Sequence, residues 1–149
     1  MKLSEIHVML ARALTPLSKL TGHIYLAPKS RAIKAHHIVN AVDVILRPGD
    51  VLLTYAKGEL TNYFIEGEYK HVAMYCGDGV IVEAVGTGVR AEAFDEFCSS
   101  KDKIAILRAS FCSAEVCLKA VESALNQIGK SYDYAFEPNE KAFYCAELA

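Results

Sequence analysis

The sequence has no excess of basic residues, no long apolar run and no paired-cysteine metal motif. Each absence bears on a class of function. Sixteen Lys and Arg stand against eighteen Asp and Glu, a formal charge of −2. Binding to nucleic acid is dominated by cation–phosphate contacts, so this balance argues against a nucleic-acid partner. No apolar stretch approaches the ~20 residues of a membrane helix, so no membrane span is expected. Glu5, His7 and Arg12 interrupt what would be the apolar region of a secretory signal. A cytoplasmic protein is therefore expected, reaching any extracellular target by another export route. The five cysteines, Cys76, Cys98, Cys112, Cys117 and Cys145, are odd in number. With no signal peptide, that argues against a disulfide framework. There is no Cys-x-x-Cys, and Cys112 and Cys117 have no histidine nearby, so zinc is not expected. No metal or organic cofactor is implied. Repeats, low-complexity segments and charge runs are also missing.

What remains is an ordinary globular composition, 52% apolar and 23% charged over 149 residues, enough for one domain with a sizeable core. Residues 2–20 carry Leu3, Ile6, Leu10, Ala13, Leu17 and Leu20 at helical spacing, with Pro16 restarting the helix after Thr15. We read residues 1–46 as a helical N-terminal extension. Its first helix either packs on the domain or docks a protein partner. His36 and His37 read as exposed or structural. Residues 47–149 form the main domain. Arg47-Pro48-Gly49-Asp50 is a turn, with Asp50 as its cap, and Val51–Tyr55 a buried strand. Residues 59–69 read as an aromatic loop with Tyr63, Phe64 and Tyr69. Strands follow over His71–Cys76, Val80–Val85 and Ile104–Leu107, with a short segment at Val89 and a short helix over Ala93–Cys98. Ala114–Ile128 has helical periodicity, with Gly129 placed to end it. Strands in series followed by helices give an α+β class, an antiparallel sheet packed against helices.

One constellation suggests a reaction. Cys145 precedes good helix formers and follows an aromatic, turn-rich loop over 131–144. A thiol at a helix N-terminus beside an imidazole has a lowered pKa, and a third polar group fixes the imidazole. His71 and Glu83 fit those two places, provided the hairpin between them has the right parity. A two-residue Asp78-Gly79 turn without a bulge would put them on opposite faces. A three-residue Gly77-Asp78-Gly79 loop, or a bulge of the same parity, would put them on one face as diagonal neighbours about 7–8 Å apart. We expect the latter. Cys76 then points away from His71, and four of the five cysteines are small core hydrophobes.

These motifs resemble a known group. Pro48-Gly49-Asp50-Val51-Leu52, His71 to Gly79, Val82-Glu83-Ala84 and Gly88-Val89 look like the core of the NlpC-type cysteine peptidases, including the twelve-residue interval from 71 to 83. In the usual order the cysteine precedes this block. Here the order is histidine, carboxylate, C-terminal cysteine, which resembles the circularly permuted branch. That branch includes the YiiX/YaeF-like amidases and, more distantly, the lecithin:retinol acyltransferases. Glu83 as third residue, the Gly67-Glu68-Tyr69-Lys70-His71 approach and Tyr132-Asp133-Tyr134 resemble the YiiX-like members most. The resemblance spans residues 47–149 and implies a circularly permuted papain-like fold.

It also implies a thiol hydrolase in which Cys145 attacks, His71 is the base and Glu83 orients it. The substrate would be a peptide or acyl amide, with bacterial cell-wall peptides as one class. Tyr55, Tyr132 and Tyr144 are candidate substrate contacts, with core packing as the alternative for each. The Cys145 N–H is the expected oxyanion donor. The chain stops four residues after Cys145, so about one turn of nucleophile helix is expected. Acyl transfer or thioester hydrolysis on lipid acyl chains, and a non-catalytic binding module, are the competing readings.

Overall fold

The computed structural model describes residues 33–59, 67–133 and 141–149. The amphipathic helix expected over 2–20 lies outside them, as do Tyr63, Phe64 and Tyr134. Helix α1 (Ala35–Asn40) runs into a π-helical turn over Ala41–Ile45. Strand β1 (Val51–Tyr55) follows, then β2 (His71–Gly77), β3 (Val80–Val85) and β4 (Gly88–Ala93). Helix α2 (Phe94–Ser99) leads to β5 (Lys103–Leu107) and helix α3 (Ala114–Leu125). The short strands β6 (Ser131–Tyr132) and β7 (Ala142–Phe143) precede helix α4 (Cys145–Leu148).

Strands β1–β5 form one antiparallel sheet in the order β4-β3-β2-β1-β5. Its central strands are buried on both faces, which is why their apolar runs do not alternate cleanly with polar residues. On one face Leu52, Ala73, Tyr75 and Ile81 pack with Leu46 and with Phe94, Phe97 and Cys98 of α2. Ile33, Ile38, Ala41 and Val42 close that side, so the described part of the first 46 residues joins the domain core. On the other face Met74, Val82, Ala84 and Val89 meet Val121 and Ala124 of α3 and Leu148 of α4. This is the expected mixed architecture, an antiparallel sheet between helices.

The β2–β3 hairpin decides the geometry of the site. Its turn has two central residues, not three. Asp78 and Gly79 both have positive φ, 51° and 72°, the primed-turn backbone whose twist suits a tight hairpin. Gly77 pairs with Val80, while Tyr75 pairs with Ile81, so Cys76 is an extra residue in β2. That bulge restores the parity a three-residue loop would have had, and Ala73 faces Glu83.

Helix α3 is shorter than expected. It starts at the Ser113 cap, whose hydroxyl accepts from the Val116 N–H at 3.3 Å, and stops at Leu125 with Asn126 as its C-cap. Gly129 does not end it. A tertiary link takes precedence: the Gly129 N–H donates to the Val89 carbonyl at 2.9 Å, and the Val89 N–H donates to the Lys130 carbonyl at 2.9 Å. That link brings the Lys130 carbonyl so close to Gly88 (φ +118°) that an added Cβ would lie 2.6 Å from it. The segment around Val89 is thus a full strand with its outer edge tied to the α3–β6 connection.

Candidate active site

His71 opens β2 and Cys145 opens α4, so both groups stand at the start of an element. Helix α4 is a single turn, and such a turn is marginal alone. It is held by Leu148, buried among Met74, Val82 and Ala84. Burying a leucine side chain contributes roughly 2 kcal/mol, comparable to what a marginal turn needs. The Tyr144 carbonyl accepts the N–H groups of Glu147 and Leu148 at 3.1 and 3.2 Å, which fixes where the helix begins. Cys145, as the first helical residue, has no intrahelical acceptor for its own N–H.

Because Ala73 faces Glu83 and side chains alternate, His71 and Glu83 leave the sheet on one face. His71 Nε2 lies 2.7 Å from Glu83 Oε2. That leaves Nδ1 for Cys145, whose interaction with the ring is the largest influence raising the imidazole pKa. The other carboxylate oxygen is taken from β4. Arg90, directly opposite Glu83, donates to Oε1 from Nε at 2.9 Å and from Nη2 at 2.7 Å. Glu83 is only 1% exposed. A buried carboxylate without partners would be strongly destabilising, and here each oxygen has a cationic one.

The electrostatics follow from these contacts. Burial acts to raise the Glu83 carboxyl, but the hydrogen bonds and charges of His71 and Arg90 outweigh it and hold the group down at about 2. Burial acts to lower His71. The hydrogen bonds to Cys145 and Glu83 and the Glu83 charge overcome this and raise the imidazole to about 9, against a smaller opposing effect of Lys101. Burial acts to raise the Cys145 thiol. Its hydrogen bond to His71, the imidazolium charge and the N–H groups of Val72 and Ala146 pull it below its ordinary value. The arrangement therefore favours a thiolate–imidazolium pair over a neutral thiol and imidazole. Such a pair can attack an electrophilic carbon and hand a proton to the departing group.

A protein-family model matches residues 45–149, that of the permuted papain-like amidase enzymes, YaeF/YiiX, C92 family. The chain belongs to this family. No curated protein and no solved structure matches it. Membership makes the chain a cysteine peptidase/amidase-like hydrolase of papain-like, permuted architecture.

The other residues singled out in the sequence sit as follows. Tyr55 ends β1, with the Lys103 ammonium 5.9 Å from its ring centre. It leaves the strand on the face opposite Thr54, whose cross-strand neighbour is His71. Tyr132 packs against the second core cluster and pairs with Phe143. Tyr144 immediately precedes Cys145 and is half-buried. Asp50 is a turn cap as expected, accepting the Arg47 N–H at 2.8 Å. It also binds the Arg108 guanidinium through both oxygens, at 2.7 and 2.6 Å. Cys76 packs on the Met74–Val82 side, away from His71, and burial pushes its thiol up to about 11. Cys98 is buried and pushed to about 12. His36 and His37 are exposed, their rings 4.0 Å apart. Among the described residues no group of three or more His, Cys, Asp or Glu could hold a metal ion.

Arg90 escaped the sequence reading. A lone arginine in Val89-Arg90-Ala91-Glu92 looks like the solvent side of an amphipathic strand. Only the strand register, which pairs it with Glu83, brings it to the buried carboxylate.

Proposed function

We propose that this chain hydrolyses a peptide or acyl amide through an acyl-enzyme on Cys145. The observation that carries the assignment is the His71 imidazole, which bonds Glu83 at 2.7 Å through Nε2 while it and the Cys145 thiol shift each other's pKa towards the charged pair. The Cys145 thiolate attacks the carbonyl carbon, forming a C–S bond and an oxyanion, for which the Cys145 N–H is the donor at the helix start. As the C–N bond breaks, the His71 imidazolium gives its proton to the leaving nitrogen. Water then attacks the thioester, His71 takes its proton, and the C–S bond breaks to release the acid and restore the pair. Glu83 orients the ring throughout and stabilises its charged form. The amidase family supports amide over thioester chemistry, and cell-wall peptides are the substrate class we would try first.

The test is site-resolved alkylation of all five cysteines by mass spectrometry across pH 5 to 9, in wild type and His71→Ala. The proposal requires Cys145 alone to react fast below pH 7, and His71→Ala to remove that reactivity. If Cys145 reacts like Cys112 and Cys117 in the wild type, the proposal is wrong. Hydrolysis of cell-wall peptides but not of lipid thioesters or N-acyl amides would then fix the substrate class.

A further inference from the structure

We propose that Arg90 is a positioning residue for the reaction, acting through Glu83 on the orientation and charge of His71. The inference rests on the Cys145–His71–Glu83 reading above. Glu83 has two chemically equivalent oxygens, and free rotation of its carboxylate could offer either of them, or neither, to His71. Arg90 removes that freedom. Its Nε and Nη2 both donate to Oε1, leaving Oε2 aligned on His71 Nε2. A planar guanidinium can do this and a point charge cannot.

Arg90 is itself held on two sides. Its Nη2 also donates to the Glu92 carboxylate, at 3.2 and 3.3 Å. The backbone just before it is tied to the α3–β6 connection by the two hydrogen bonds of Val89. The relay therefore runs from an anchored edge strand, through Arg90 and Glu83, to the ring that serves Cys145. Charged groups act on it from both ends. Lys101 and Cys145 act on His71, while Glu92 and Glu96 act on Arg90. Arg90 is 44% exposed at its side chain, so replacing it leaves no cavity in the core.

The experiment compares the pH dependence of Cys145 alkylation by iodoacetamide in wild type, Arg90→Met, Arg90→Lys and His71→Ala. It is paired with NMR titration of the His71 ring and with thermal melts. By charge alone, loss of the Arg90 cation would raise the His71 pKa; in Arg90→Met the positioning role requires the opposite, a lowered His71 pKa and several-fold slower Cys145 alkylation at pH 6, because Glu83 is no longer aligned on the ring. Arg90→Lys keeps the charge but cannot fork onto one oxygen, so it should be slow like Arg90→Met and not like wild type. If Arg90→Met fails to fold, Arg90→Gln, which keeps a donor without the charge, takes its place with the same expected shift. A merely structural role would lower the melting temperature and leave both titrations on the wild-type curve, and that overturns the proposal. If His71→Ala abolishes the fast reaction while Arg90→Met leaves it intact, the Cys145–His71–Glu83 reading stands and Arg90 alone is refuted. If His71→Ala changes nothing, both fall together.

Discussion

Replacing Glu83 by Gln tests the electrostatic logic most directly. The side chain keeps its shape and one oxygen acceptor but loses its charge. In the native site the His71 imidazole rises from 6.5 to about 9 although burial acts to lower it. At 1.36 kcal/mol per pKa unit, that rise corresponds to about 3 kcal/mol in favour of the imidazolium. The Cys145 contact is the largest single cause of the rise, and Glu83 adds a hydrogen bond at 2.7 Å and a charge in a site where the carboxylate is 1% exposed. With Gln in its place burial is opposed by the Cys145 contact alone, and the His71 pKa should fall by about two units. The thiolate–imidazolium population at neutral pH then drops on the order of a hundredfold. The variant also loses the charged pair with Arg90, so melts must first show it folded at the assay temperature. The assay is the rate of Cys145 alkylation against pH, with NMR of the His71 ring alongside. In the wild type His71 should stay charged until about pH 9. In Glu83→Gln it should lose its proton about two units lower, with Cys145 alkylation at pH 6 slowed on the order of a hundredfold. A variant whose His71 still titrates near 9 would show that Glu83 does not set the charge of the ring, and the reasoning would fail.

The remaining expectations concern stability and the other thiols. Glu83 is depressed from 4.5 to about 2, so its contribution to stability is complete above pH 4.5 and is lost as pH falls through about 2. Acid-unfolding curves of wild type should be steeper over that window than those of Glu83→Gln; parallel curves would refute this. His71 works in the opposite sense, its contribution present below 6.5 and lost as pH rises through about 9. Cys145, lowered from 9.0, offsets part of that alkaline loss, so the acid limb is the cleaner readout. Asp50→Asn weakens the pair between buried Asp50 and exposed Arg108 at the end of β1 away from His71, and should lower the denaturant midpoint. Its Cys145 alkylation profile should match wild type. Cys76 and Cys98, raised to about 11 and 12, should remain unlabelled at pH 8 after Cys145 is fully modified.

The parts of the fold that were legible in the sequence are those governed by local signals. Val51–Tyr55 and Val80–Val85 are apolar runs bounded by Pro-Gly-Asp and Gly-rich turns, and both became strands with the expected limits. The start of α2, one residue after Ala93, and the start of α3 at Ala114 were equally local. The end of α3 was not. Gly129 has the positive φ of a helix terminator, 90°, but uses its N–H on the Val89 carbonyl of a strand some forty positions earlier. Nothing within the helix could announce that.

The site divides in the same way. His71 and Glu83 were found because their meeting depends on one short hairpin, whose possible turns are few and differ in parity. The bulge at Cys76 shows how narrow that margin is. The turn itself has the parity that would have separated the two side chains, and one extra residue reverses it. Arg90 required a further strand pairing, and Asp50–Arg108 required a pairing across 58 positions. In both cases the chain offers only a charged residue on an alternating strand, the same pattern a solvated edge produces. What distinguishes them is burial of the partner. A carboxylate forced to 1% exposure by its strand must find a cation, and the register leaves one candidate on each side, the ring of His71 and the guanidinium of Arg90. The charge on the His71 ring is thus a consequence of where the sheet buries Glu83. A substitution that shifted the β3–β4 register by one residue would take Arg90 to the other face and disable the relay without touching Cys145, His71 or Glu83.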